Sequence, residues 1–177
     1  MVFLSDNPGT IDGLLDLINQ RAFQIIWLCI ISMAFCQILK FILLSIRNKK
    51  IFWRSLITTG GFPSSHTSTC ITLVVSLFLF QRHDLDGRID WSFAAAVIFS
   101  VIIIHDAMGV RLEASKHAKI LNHLTSDIPQ EEKKEMGFGK KLNLKEMLGH
   151  KGTEVLGGIA IGVLVAICGY YTILAYL

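Results

Sequence analysis

Four apolar stretches limit this chain more than anything else in it. Residues 22–46 and 153–177 are long enough to cross a hydrocarbon layer of ~30 Å, which takes about 20 residues of helix, and 91–110 is so by a narrow margin. Residues 67–81 form a shorter run, long enough only if its helix takes in the polar Pro63-Ser64-Ser65-His66 end. In lipid, backbone N–H and C=O groups must be satisfied internally, so runs of this kind fold as helices. With 52% of its 177 residues hydrophobic, the chain is too apolar for an ordinary soluble protein of its size. The expected fold is all-α, an integral membrane helical bundle of about four transmembrane helices plus a surface amphipathic helix.

The segments between the runs fill in the plan. The first twenty residues carry Asp6, Asp12 and Asp16 and no Lys or Arg, which argues against a secretory signal peptide. Ile11, Leu14, Leu15 and Ile18 share one helical face, with Asp12, Asp16 and Asn19 elsewhere. That pattern suits a helix on the membrane surface, or equally a cap packed on the other helices. Residues 1–21 are therefore read as an N-terminal interfacial segment and 22–177 as one membrane domain. Cys29, Cys36, Cys70 and Cys168 fall within the apolar runs without a Cys-x-x-Cys pair, so they read as small packing residues and neither zinc ligands nor a disulfide framework. The polar turn Arg82–Arg88 lies on the face opposite the Pro-Ser-Ser-His end, and Asp90 is placed to cap the helix that starts at Trp91. Apolar positions at 110, 114, 118 and 121 carry a helix past the bilayer along its surface. Over about 126–145 the residues Glu131, Glu132, Lys133, Lys134, Glu135, Lys140 and Lys141 read as a solvated, mobile loop.

The chemistry concentrates around Gly60-Gly61-Phe62-Pro63-Ser64-Ser65-His66. Two glycines permit a tight path, Pro63 fixes φ before a helix, and Ser64 or Ser65 can cap it. The free N–H groups of such a helix start form an anion site, with His66 in the first turn beside it. The basic residues Arg47, Lys49, Lys50 and Arg54 lead into this turn. Gln37 and Lys40 lie near the end of the first membrane helix; a lone lysine there commonly snorkels to the headgroups. Alternating helix directions put Lys40 and Arg54, the Pro-Ser-Ser-His turn, Arg111, and His150 with Glu154 on one membrane face. His150 and Glu154 are i and i+4, so the carboxylate can hold one imidazole nitrogen and leave the other basic and nucleophilic. A nucleophile, a second histidine, three cations and a helix N-terminus are the parts that phosphoryl transfer requires.

These residues resemble the type 2 phosphatidic acid phosphatase superfamily, which includes vanadium haloperoxidases and carries three motifs, KxxxxxxRP, PSGH and SRxxxxxHxxxD. Pro63-Ser64-Ser65-His66 is similar to the second, with serine for glycine, and His150 through Glu154 to the end of the third, with Glu for Asp. The third-motif arginine is displaced to Arg111, within Asp106-Ala107-Met108-Gly109-Val110-Arg111. That split resembles the divergent bacterial and plant branch, which combines GGMPSSH, DAxGVR and LKExLGH elements. The resemblance covers roughly residues 37–162, with Phe62 at the branch's methionine. It implies His150 as nucleophile, Glu154 as its orienting partner and His66 as general acid, with Lys40, Arg54, Ser64, Ser65, Arg111 and Asp106 on the substrate side and no metal or other cofactor. Lys40 and Arg47 keep the six-residue gap of the first motif, but Asn48 stands for proline; Arg54 is the preferred phosphate ligand and Arg47 the runner-up. Arg111 and His117 also have the five-residue gap of the third motif, which makes His117 a rival nucleophile, although Leu121 stands where its Asp partner belongs.

The expected activity is a metal-independent hydrolase, a membrane lipid phosphate phosphatase working through a phosphohistidine. Candidate substrates are phosphatidate, phosphatidylglycerophosphate and prenyl phosphates, with no nucleic acid partner. The alternative is a non-catalytic lipid- or partner-binding membrane scaffold; a transporter or channel fits less well, because the polar residues gather at one face. Fewer helices than the superfamily usually has leave room for a homodimer that completes the bundle. Of the 17 basic residues, 14 fall on the motif face and only Arg21, Arg82 and Arg88 on the other. The positive-inside tendency then puts the site at the cytoplasmic face of a multi-pass cell-membrane protein, with both termini outside.

Overall fold

A computed structural model describes residues 11–51, 60–135, 144 and 149–175. Among the described residues six helices follow in order: α1 (Ile11–Asn48), α2 (Ser65–Asp84), α3 (Trp91–Met108), α4 (Val110–Leu124), α5 (Gln130–Glu135) and α6 (Gly152–Ala175). There is no strand among the described residues. The segment expected as a surface helix over 10–20 is helical from Ile11, but it continues into α1 without a break. Neither Gly nor Pro stands between Leu14 and Asn48 to stop it. The expected charged loop holds the short α5, and 136–143 lie outside the described residues.

Three stretches are long and apolar enough to cross a bilayer: Gln20–Asn48, Trp91–Leu124 and Gly152–Ala175. The protein is an integral membrane protein on that count, and Phe23, Ile26, Trp27, Ile98, Phe99 and Leu164 turn outward, as lipid-facing side chains do. The fourth expected helix, α2, is less apolar because it lies among the others. It packs against α1, α3 and α6. Ser65, Thr67, Ser68, Thr72 and Ser76 on it are buried.

Pairings along α2 give the direction of each neighbour. Ser32 of α1 meets Ser68, and Arg21 meets Asp84, so α1 runs antiparallel to α2. Ser100 of α3 reaches the Cys70 carbonyl while Ser92 meets Gln81, so α3 is antiparallel too. Glu154 meets Ser64 and Tyr170 meets Phe80, which makes α6 parallel.

Small residues let α2 and α6 touch backbone to backbone. A Cβ on Gly158 would lie 2.6 Å from the Ser64 carbonyl oxygen, and one on Gly162 2.7 Å from that of Ser68. The expected small-xxx-small pair is therefore spent inside the bundle. Hydroxyls bridge the rest of the seam: Thr72 donates to Ser32 Oγ at 2.9 Å and lies 3.2 Å from the Gly162 carbonyl. At the opposite end, Ile25, Leu28 and Phe80 form an apolar cluster. Beside it Asp84 holds Arg21 through two bonds of 2.8 and 3.1 Å, and the guanidinium lies over the Phe80 ring. These contacts fix α2 at both ends.

Candidate active site

The start of α2 is built from local chemistry. Gly61 has φ +103, a conformation that favours glycine, and Pro63 is buried behind it. Ser64 is the N-cap, its Oγ accepting from the Thr67 backbone N–H at 3.2 Å and from the Thr67 hydroxyl at 2.9 Å. The intrahelical ladder begins with Ser68 N–H to Ser64 O, so the N–H groups of Ser65 and His66 belong to the first turn that a ligand can approach. His66 is exposed there, whereas Ser64 and Ser65 are buried.

The start of α6 is tied to that turn. The Ser64 N–H donates to the Glu154 carbonyl at 3.0 Å. Glu154 Oε2 lies 3.1 Å from His150 Nδ1 and accepts from the backbone N–H of Gly61 and Lys151, each at 3.3 Å. A carboxylate only accepts, so this bond puts the proton of neutral His150 on Nδ1 and leaves the Nε2 lone pair free. The His150 side chain is only 2% exposed. Its orientation is fixed from both sides, because its own backbone N–H donates to the Ala107 carbonyl of α3 at 2.9 Å.

The third part comes from the junction of α3 and α4. The helix breaks at Gly109, whose φ and ψ are −97° and −94°. Gly149, with φ +86, fits against the break so closely that a Cβ would lie 2.4 Å from Leu112 N and 2.8 Å from Arg111 C. Arg111 follows the break and donates through Nε to Asp106 Oδ2 at 2.6 Å. His66, Ile103, Ala107, Arg111, Gly149 and His150 line a cavity of about 20 Å³. Such a volume admits one or two waters. The two imidazoles stand across it with centroids 5.9 Å apart.

The structure thus brings together His150, Glu154, His66, Arg111 and the Ser64-Ser65 turn. Lys40 is fully buried behind the turn, its stem against Gly61, where Glu154 acts on it electrostatically. Asp106 meets Arg111 and is not part of the cavity wall. Arg54 lies outside the described residues, and the runner-up Arg47 is exposed in the last turn of α1. His117 is exposed on α4 and does not line the cavity.

Sequence reasoning missed the backbone partners: the N–H groups of Gly61 and Lys151, the Ala107 carbonyl and the docking of Gly149. The only signal for them was a glycine directly before the nucleophile candidate. It also missed that Asn122 of α4 pairs with both backbone groups of Leu144, each at 2.9 Å.

Comparison with known proteins agrees with the motif reading. The sequence profile described as the Divergent PAP2 family matches residues 22–165. A relative from Bacillus subtilis (strain 168), described as the uncharacterized membrane protein YuiD, is 34% identical over 146 residues, which cover 77% of this chain and 87% of the relative. No solved structure matches the chain.

Proposed function

The chain belongs to the Divergent PAP2 family, and from that membership and the paired histidines we propose that it is a membrane lipid phosphate phosphatase acting through a phosphohistidine. The observation that carries the reading is His150, buried and oriented by Glu154, facing His66 across a cavity with Arg111 in its wall. A fixed nucleophile opposite an exposed, movable acid is the arrangement an in-line displacement needs.

In this reading His150 Nε2 attacks phosphorus and the N–P bond forms as the bond to the lipid oxygen breaks. Protonated His66 gives its proton to that oxygen, so a lipid monophosphate leaves as the neutral alcohol; with a pyrophosphate the bond broken is to the bridging oxygen, and the lipid monophosphate leaves protonated there. The proton on His150 Nδ1 stays shared with Glu154, which stabilises the ring as it loses its lone pair. Water then attacks phosphorus, passes a proton to His66, and breaks the N–P bond to release phosphate. Arg111, Lys40, Arg54 and the first-turn N–H groups of α2 neutralise the charge on the equatorial oxygens. The phosphate itself favours the protonated form of His66. A cavity with room for a water or two requires the exposed His66 and Arg111 side chains to open as phosphate enters, while His150 stays in place.

Substrates in this reading are lipid monophosphates or pyrophosphates, with phosphatidate, phosphatidylglycerophosphate and prenyl phosphates as the first panel. Purified protein in detergent micelles should release phosphate from at least one of them, and His150→Ala should abolish it. A wild-type protein that binds these lipids without turnover would place it among non-catalytic scaffolds instead.

A further inference from the structure

Asp106 lacks a role in the chemistry above, yet its carboxylate sits 2.6 Å from an arginine in the cavity wall. It is poorly suited to hold phosphate directly, because two anions repel each other across a small site. We propose that Asp106 is a positioning residue that aims the Arg111 guanidinium at the phosphate site, through an ion pair that exists because the helix breaks at Gly109. This rests on the phosphatase reading only for its consequence in turnover; its first readout is anion binding.

The geometry explains why the break matters. Residues five apart on one continuous helix point about 140° away from each other, so they do not pair. Asp106 and Arg111 do pair, because Gly109 interrupts the ladder between them. The same interruption leaves the Ala107 carbonyl to the backbone N–H of His150, and it makes the backbone recess that Gly149 occupies. One joint therefore sets both the arginine and the nucleophile candidate. Arginine carries five N–H donors in a rigid fork. Asp106 takes the Nε donor, and the Nη donors are those an anion in the cavity would meet. The pair is partly exposed, with side chains 52% and 37% accessible, so it contributes little to holding the fold. Its place beside the cavity is better explained by aim than by stability.

The test measures orthovanadate and inorganic phosphate binding to full-length protein in micelles by calorimetry, alongside phosphate release. Asp106→Asn should weaken orthovanadate binding about tenfold, as expected for contacting residues that act as a unit. Arg111→Gln should weaken it at least as much, and the double variant should bind no worse than Arg111→Gln alone. Asp106→Glu should recover most of the affinity, and all variants should melt near the wild-type temperature. Wild-type-like binding by Asp106→Asn, or fully additive losses in the double variant, would overturn the proposal. Binding without hydrolysis in the wild type, with the same loss in Asp106→Asn, supports the proposal and defeats the phosphatase reading. A wild type that binds neither anion defeats both.

Discussion

Gly149→Ala should separate a docking joint from a mere turn. Two costs follow from the structure. The backbone there has φ +86, where a side chain costs roughly 1–2 kcal/mol. The new methyl would also stand 2.4 Å from Leu112 N, where ordinary contact begins at 3.4 Å, so the joint must open by 3.4 − 2.4 = 1.0 Å. The atoms it meets are backbone, and none can swing aside. Because His150 follows directly and Arg111 lies across the contact, the shift falls on the distance between the proposed nucleophile and the proposed phosphate ligand. A misplacement of about 1 Å costs about 100-fold in rate, or about 2.7 kcal/mol of transition-state stabilisation. Gly152→Ala is the control, since a Cβ there meets nothing within 4 Å. Initial rates of phosphate release, with thermal melting of each variant in micelles, would check this. The expected result is a folded, nearly inactive Gly149→Ala beside a Gly152→Ala of wild-type rate. Equal activity in the two would refute the view that the docking of Gly149 sets the site.

Phosphate release should survive chelators and be inhibited by vanadate, because the proposed charge neutralisation uses Lys40, Arg54, Arg111 and helix N–H groups; strict magnesium dependence would count against it. On substrates with a good leaving group, His66→Ala should keep more activity than His150→Ala, because a stable leaving oxygen has less need of an acid. His117→Gln should remain near wild type, and a dead His117→Gln would bring back the rival nucleophile. Gly162→Leu should lower the melting temperature sharply and reduce folded yield, since its first added carbon already lies 2.7 Å from the Ser68 carbonyl; an unchanged melt would argue against the α2–α6 seam. A cysteine at Lys50, in a background without the native four, should resist an impermeant thiol reagent in intact cells while one at Asp86 reacts; the reverse would put the site outside.

Much of the bundle was legible because its signals are local. Apolar length marked the three spans, Ser64 and Asp90 cap the helices they were expected to cap, and Gly158 with Gly162 marked the tightest seam. The short apolar run of α2 was the more informative departure. Its hydropathy falls because Ser68 and Thr72 face α1 and α6 in place of lipid. A transfer scale scores each residue as if lipid surrounded it, so a central helix lined with hydroxyls reads as too short. The continuity of α1 was hidden for the opposite reason. Its first turns carry an amphipathic pattern of their own, and a change of pattern without a helix breaker does not end a helix.

The displaced arginine marks the limit of spacing as a guide. A motif with a fixed gap describes two groups held by one piece of chain, and by that rule Arg111 belonged with His117. In the fold His117 is exposed on α4 and does not line the cavity, whereas Arg111 shares that cavity with His150, thirty-nine positions later by 150 − 111 = 39. What replaces the short covalent link is a contact between two backbones, Gly149 lodged at Leu112 and the His150 N–H bonded to Ala107. A contact of that kind has no side-chain signature except the glycine that permits it. It also leaves the intervening segment free to change, because a rigid joint beside the two groups fixes their separation better than any length of chain between them. Insertions or deletions within residues 126–143 should therefore leave the Arg111–His150 geometry intact as long as Asn122 and Leu144 still pair, whereas one residue added between Gly149 and His150 should destroy it.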